Sequence, residues 1–210
     1  MIQKTEKSGA APSRGYHHGD LRHALIETAE TLLAERGVEG FSLRECARRA
    51  GVSPAAPAHH FGNMPGLLTA IATLGFEGLA DAMEAEAAAS DGTPEARLEA
   101  LARGYIRYAL GHPDRFRVVF GRFPLDRTDQ ALQAAGARAY ALLASAVTAL
   151  PRHSFDTTAA IVVAWSAVHG FVTLVLDGHT PFIDPGEDKR TAVERLSRQL
   201  GKLLMRALAA

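Results

Sequence analysis

Between residues 42 and 65 the sequence repeatedly stops a helix and starts another, and this punctuation limits the fold more than any other feature. Ser42-Leu43-Arg44-Glu45 is a capping box, in which the serine hydroxyl accepts from the third amide and the glutamate reaches back to the serine amide. The helix it opens, over about 43–50, ends at Gly51. Val52-Ser53-Pro54 starts the next, with serine at the N-cap and proline at the first position, where a missing N–H is harmless. Pro57 still falls in the first turn, so this helix is short and ends near residue 60. Phe61-Gly62-Asn63 breaks the chain again. Asn63 with Pro65 repeats the start signal, and a long helix follows through Leu67, Leu68, Ile71, Leu74 and Leu79 to about residue 89.

The flanking sequence is helical too. Leu21, Leu25, Ala29, Leu32 and Leu33 recur at spacings of three and four from Asp20 onward, and Gly37 is placed to end that helix. Beyond Asp91-Gly92-Thr93-Pro94, the best candidate boundary, helical patterns run over about 94–110, 113–121, 128–150, 156–176 and 187–209. Gly- and Pro-containing breaks separate them, and no run alternates with period two. The expected fold is therefore all-α, with about nine helices. It comprises a polar arm over 1–15, a three-helix unit over 16–62, a linking helix over 63–90 and a larger helical domain over 91–210.

Composition excludes several classes. With 210 residues, 47% hydrophobic and 22% charged, and 23 basic side chains against 23 acidic ones, the chain is not a disordered tail. Its one cysteine, Cys46, cannot form an internal disulfide, which points to a reducing compartment. Residues 1–14 lack the apolar core of a secretory signal. The most apolar stretch, 159–176, is interrupted by Ser166, His169, Gly170 and Thr173, so it reads as a helix buried against protein rather than lipid. A soluble, cytoplasmic protein without membrane contact is expected. His59-His60 has no Cys, Asp or Glu at ligand spacing beside it, His17-His18 reads as part of a polar arm, and neither a metal nor another cofactor is expected.

Two short helices joined by a glycine turn, with a third before them, match a helix-turn-helix. A helix entering the major groove of duplex DNA needs small or polar side chains outward and amides for phosphates. The second helix offers Pro54, Ala55, Ala56, Ala58, His59 and His60, and the helix before it carries Arg44, Arg48 and Arg49. The bland alternative is a solvated face on which those arginines pair with Glu45.

The fuller string is more specific. Asp20-Leu21-Arg22, Ala34-Glu35-Arg36-Gly37, Phe41-Ser42-Leu43-Arg44-Glu45, Ala47-Arg48-Arg49-Ala50-Gly51-Val52-Ser53, His59-His60-Phe61-Gly62-Asn63 and Gly66-Leu67-Leu68 follow one another in order over about residues 16–80. In this the chain resembles the TetR family of bacterial transcriptional regulators. Trp165-Ser166-Ala167-Val168-His169-Gly170, preceded by Tyr105, Tyr108 and His112-Pro113-Asp114-Arg115-Phe116-Arg117, resembles those members whose C-terminal domain is marked by Trp-x-x-x-His-Gly. The resemblance implies a ligand-responsive homodimeric repressor that binds a palindromic double-stranded operator. Carried over, Ser42 and Ser53 would cap their helices and contact phosphates, Ala55, Ala56 and His59 would face base edges, and His60 or the amides at Asn63 would touch backbone. The family usually places tyrosine at position 58 and lysine at position 64, whereas this chain has Ala58 and Met64. Each missing phosphate contact weakens binding without changing sequence choice, and a lost cation lowers the salt slope by about one. Arg14, His17 or His18 from the arm would offset the loss.

In the C-terminal region, Trp165 and His169 are four apart and share one helix face. With Tyr105, Tyr108, Phe116 and Phe120 they are the candidate walls of a pocket for a small, largely apolar effector. Residues 159–176 are apolar around most of the helix, and 187–209 carries Val193, Leu196, Leu200, Leu203, Leu204 and Leu208 at helical spacing. Two such helices from each of two chains make a four-helix interface, with Val172, Leu176, Leu196, Leu200, Leu203 and Leu204 as candidate contacts. No motif pairs a nucleophile with a base, so an enzyme is not expected. The rival reading is a ligand-binding helical dimer that has lost DNA binding.

Overall fold

The computed structural model describes residues 18–37, 40–151 and 156–209, and these form helices and their connections only. The helices among them are α1 (His18–Arg36), α2 (Leu43–Arg49), α3 (Ala56–Phe61), α4 (Met64–Ala88), α5 (Pro94–Gly111), α6 (Pro113–Phe120), α7 (Gln130–Thr148), α8 (Thr157–Leu176) and α9 (Lys189–Ala209). The all-α expectation and the punctuation of the first ninety residues hold. Gly51 and Gly62 adopt φ of +68° and +73°, the left-handed region that a side chain would strain, and the chain turns there after α2 and α3. The arm at 1–15, with Arg14, and His17 lie outside the described residues.

Two local expectations change. Only half of the capping box forms: Ser42 Oγ accepts from the Glu45 amide at 3.2 Å, but the Glu45 carboxylate turns to Arg48 at 2.7 and 2.8 Å instead of the serine amide. A charge-assisted, bidentate partner outcompetes a neutral amide. Ser53 is not the N-cap of the next helix. The Ala56 amide donates to the Ser53 carbonyl at 3.0 Å, a tight turn through Pro54 and Ala55, and α3 starts at Ala56 without a side-chain cap. Asn63, by contrast, caps α4 as expected, its side chain accepting from the Gly66 amide at 2.9 Å.

Two apolar clusters share α4. The first gathers Leu25, Ile26, Leu32, Cys46, Leu67, Leu68 and Ile71, and Val118, Val119 and Leu132 complete it from α6 and α7. A three-helix unit this small cannot cover its own apolar surface. Those three later side chains contribute on the order of 5 kcal/mol of burial to it. The second cluster lies among the C-terminal half of α4, α5, α7, α8 and α9, and includes Leu79, Met83, Leu101, Tyr105, Phe116, Val172 and Leu204. Phe76 and Phe120 touch both. Two polar ties reinforce the seam: the Asp126 amide donates to Thr69 Oγ1 at 2.8 Å, and Arg115 of α6 grips Glu30 of α1 with a second contact at 3.1 Å. Helices α4 and α8 are both long and apolar enough to span a membrane by length and composition alone. Most of α4 is enclosed by other helices, whereas α8 leaves much of its apolar surface open.

Candidate functional site

The face of α3 is fixed by its one buried residue. Pro57 faces the bundle, and Ala55, Ala58 and His59, related by three and four positions, therefore point outward together and are exposed. Ser42, Arg44, Ser53 and Pro54 are exposed as well, while Ala56 and His60 are half-buried. The His59 and His60 rings meet edge-on at 5.5 Å, and His60 lies 6.1 Å from the Phe61 ring. Beneath α2, Cys46 is fully enclosed; its thiol donates to the Leu25 carbonyl at 3.4 Å, and burial pushes its pKa up to about 11.

The basic face of α2 is thinner than its composition suggests. Arg48 is bound by Glu45, and Arg49 is bound by Glu35 of α1, with one contact at 2.7 Å. Among the described residues Arg44 alone of the three has no ion-pair partner. Arg48 thus pairs with Glu45 as the bland alternative has it, whereas Arg49 reaches Glu35 of α1 instead. The Asn63 backbone amide donates to the Phe61 carbonyl at 2.8 Å, and the side-chain oxygen accepts from the Gly66 amide. Arg22 of α1 went unassigned in the sequence beyond its place in the motif. It is exposed, and its guanidinium sits 5.3 Å over the Phe61 ring, bringing a cation beside the end of α3. Met64 packs half-buried against the N-terminal core, while Ala58 is open.

The C-terminal half holds a cavity of about 130 Å³ between α4, α5, α7, α8 and α9, open to solvent on one side and closed on another by Phe120 of α6. Tyr105, Phe120 and Trp165 line it as expected. Phe76, Met83, Tyr140 and Leu143 also line it, and nothing in their helical spacing separates them from ordinary core residues. Tyr108, Phe116 and His169 are not wall residues, which corrects the sequence expectation. Tyr108 turns its hydroxyl toward the Leu74 carbonyl at 3.5 Å and packs on His112 at 4.8 Å. Phe116 supports Tyr105 from behind, edge-on at 5.8 Å. His169 lies 4.8 Å from the Phe120 ring and 5.4 Å from Phe116, with Nδ1 2.8 Å from the Tyr105 hydroxyl. Burial lowers the His169 pKa and raises that of Tyr105, so both are neutral near pH 7.

The candidate contact residues of α8 and α9 divide by orientation. Val172 and Leu204 are buried in the protomer's own core, Leu176, Leu196 and Leu200 are half-buried, and Leu203 is 61% exposed. The outward side of α8 is instead Val162, Val163, Ser166 and Leu174. A helix that is apolar all round has no periodicity from which the outward side can be read. Among the described residues no group of His, Cys, Asp and Glu has the arrangement of a metal site.

Comparison with known proteins agrees with this layout. Residues 25–71 match the family model for bacterial regulatory proteins of the tetR family, and residues 98–200 match that for the tetracyclin repressor-like C-terminal domain. The chain is 40% identical over 87 residues to the HTH-type transcriptional regulator BetI of Rhizobium meliloti (strain 1021), a match covering 41% of this chain and 42% of that relative. A solved protein of unknown function from Rhodococcus sp. RHA1 is 33% identical, with a TM-score of 0.74, covering 94% of this chain and 100% of that one. The TetR family transcriptional regulator PfmR from Thermus thermophilus shares the fold at 23% identity and a TM-score of 0.64, over 90% and 97% of the two chains.

Proposed function

Because this chain belongs to the TetR family of bacterial transcriptional regulators, and is not an enzyme, we propose that it is a cytoplasmic homodimeric repressor that releases a palindromic operator when a small effector fills its C-terminal cavity. The observation that carries the reading is the outward face of Ala58 and His59 on α3 with Ala55 just before it, held in place by buried Pro57. Side chains this small let the helix sit deep in a major groove, where His59 reads a base edge and Arg44 and Arg22 meet phosphates. We assign the C-terminal half to the subgroup marked by Trp165, His169 and Gly170. The open apolar side of α8, with Leu203 of α9, is the surface we assign to a second copy. A two-fold pair of this kind sets its recognition helices about 34 Å apart, one turn of duplex.

The coupling follows from shared side chains. Phe120 and Phe76 line the cavity and also touch the N-terminal cluster, and α6 continues through Arg115 to Glu30 of α1. An effector that presses on Phe120 favours a different seating of α6 on α1. It shifts the operator equilibrium only by its differential affinity for the two seatings, typically 1–3 kcal/mol.

The test is fluorescence anisotropy with labelled duplex from the region upstream of the protein's own gene, beside sedimentation of the free protein. Saturable binding of two protomers per duplex, weakening with salt and much tighter than to a scrambled duplex, is expected. Equal affinity for both duplexes overturns the proposal. It would favour instead a ligand-binding dimer without operator binding, a reading that draws on the two neutralised arginines of α2 and on Ala58 and Met64.

A further inference from the structure

The lining of the cavity restricts what can enter it, and it does so beyond a general preference for apolar molecules. No Asp, Glu, Lys, Arg or His is in the wall, which is formed by aliphatic side chains and five aromatic ones: Phe76, Tyr105, Phe120, Tyr140 and Trp165. An ion entering it would lose its hydration without gaining a counter-charge. Cation–π attraction from such rings returns less than that loss. At about 130 Å³ the space is close to the ~150 Å³ cavity known to take benzene, and well below the ~300–1,000 Å³ of drug-sized sites. A single ring fits.

The buried polar group of the wall is the Tyr105 hydroxyl, toward which the Trp165 side chain also turns, while Trp165 and Tyr140 as a whole stand at the rim, 40% and 49% exposed. It lies 2.8 Å from His169 Nδ1, and a single hydrogen occupies that contact. If Nδ1 donated, the tyrosine O–H would be left without an acceptor in an apolar wall, an arrangement that costs more than it returns. The stable arrangement has Tyr105 donating to Nδ1, with His169 protonated at Nε2. The phenolic oxygen then acts only as an acceptor; the Trp165 indole N–H, itself in hydrogen-bond contact with Tyr105, engages one lone pair and the other remains for a guest. We infer that the cavity selects a neutral, single-ring molecule bearing one O–H or N–H donor, received by Tyr105 whose polarity is set by His169. This deepens the effector reading of the same cavity and rests on it for its biological role. His169 is the positioning residue, acting through Tyr105.

The test uses five single-ring probes on the full-length protein at pH 7: phenol, toluene, benzaldehyde, benzylammonium and benzoate. Calorimetry gives affinities. Emission from Trp165, the chain's single tryptophan, reports whether the probe lies at the cavity. Phenol is expected to bind about three- to tenfold more tightly than toluene or benzaldehyde, the usual worth of one hydrogen bond. The two ions should bind roughly a hundredfold more weakly or not at all. Tyr105→Phe should erase the preference for phenol and leave toluene unchanged. His169→Leu should free the tyrosine O–H and turn the preference toward benzaldehyde, whereas a merely structural role would weaken all neutral probes alike. Should that variant fail to fold, the wild-type series and Tyr105→Phe still decide. Ions that bind as tightly as phenol, benzaldehyde outbinding phenol on the parent protein, or no probe perturbing Trp165 would each overturn the inference. The effector reading is separated by adding phenol to the protein–duplex complex. Binding at Trp165 without loss of duplex sinks the effector role and leaves the ligand class standing.

Discussion

Helices α4 and α5 approach closely at Gly104, and substitution there gives a worked test of the packing that shapes the cavity. A Cβ at Gly104 would lie 2.5 Å from the Ala82 carbonyl oxygen and 2.7 Å from the Met83 Cα. Both obstacles are backbone atoms of α4, so no rotamer change relieves them. An ordinary carbon–oxygen contact is about 3.3 Å, so the two helices must part by about 0.8 Å. A gap of that size forfeits roughly a quarter to a half of each dispersion contact across the seam. Overpacking of this kind costs about 1–3 kcal/mol, while alanine's better helix propensity returns up to about 1 kcal/mol. Gly104→Ala should therefore lose about 1–2 kcal/mol, or roughly 2–8 °C in Tm for a chain of this length. The matched control is Gly111→Ala at the end of the same helix, where an added Cβ meets nothing within 4 Å and stability should hold or rise slightly. Circular-dichroism melts of the three proteins at equal concentration provide the measurement. Because Leu79 and Met83 line the cavity from α4 and Leu101 and Tyr105 from α5, Trp165 emission should shift in the Gly104 variant only. Equal melting of the two variants would refute the close approach.

Three other outcomes follow from the same geometry. Arg44→Ala should weaken operator binding about equally on all duplexes and lower the salt slope by about one, whereas His59→Ala should lose discrimination at one base pair, a difference that anisotropy titrations at several salt concentrations resolve. Glu30→Gln leaves the partly enclosed Arg115 without its counter-charge and should cost about 1–3 kcal/mol of stability in denaturant melts, with a blunted effector response; an unchanged response places the coupling elsewhere. Cys46 binds its proton more tightly when folded, with a pKa raised from 9.0 to about 11, so the folded state holds more protons than the unfolded between those values. Its contribution is thus complete below pH 9 and is lost toward pH 11. Cys46→Ala should flatten that part of the stability curve, and thiol labelling of the parent at about pH 8, below the ordinary thiol pKa, should follow unfolding.

What the sequence by itself determined was local. Stops at Gly51 and Gly62, the caps at Ser42 and Asn63, and the small side chains of α3 need only a few neighbouring residues to take effect, and so they could be read in order along the chain. The shared face of Trp165 and His169 follows from helix periodicity in the same way. Tertiary structure decided whatever depends on distant partners. Glu35 on α1 takes Arg49 out of the basic face, and Val118, Val119 and Leu132 close a core that the first three helices leave open. Tyr105 and His169, 64 positions apart, become one hydrogen-bonded unit, and this moves the histidine from the wall of the cavity to a place behind it. The outward side of α8 also had to wait for the fold. Periodicity reports a difference between faces, and on a helix with apolar residues all round only its neighbours create one.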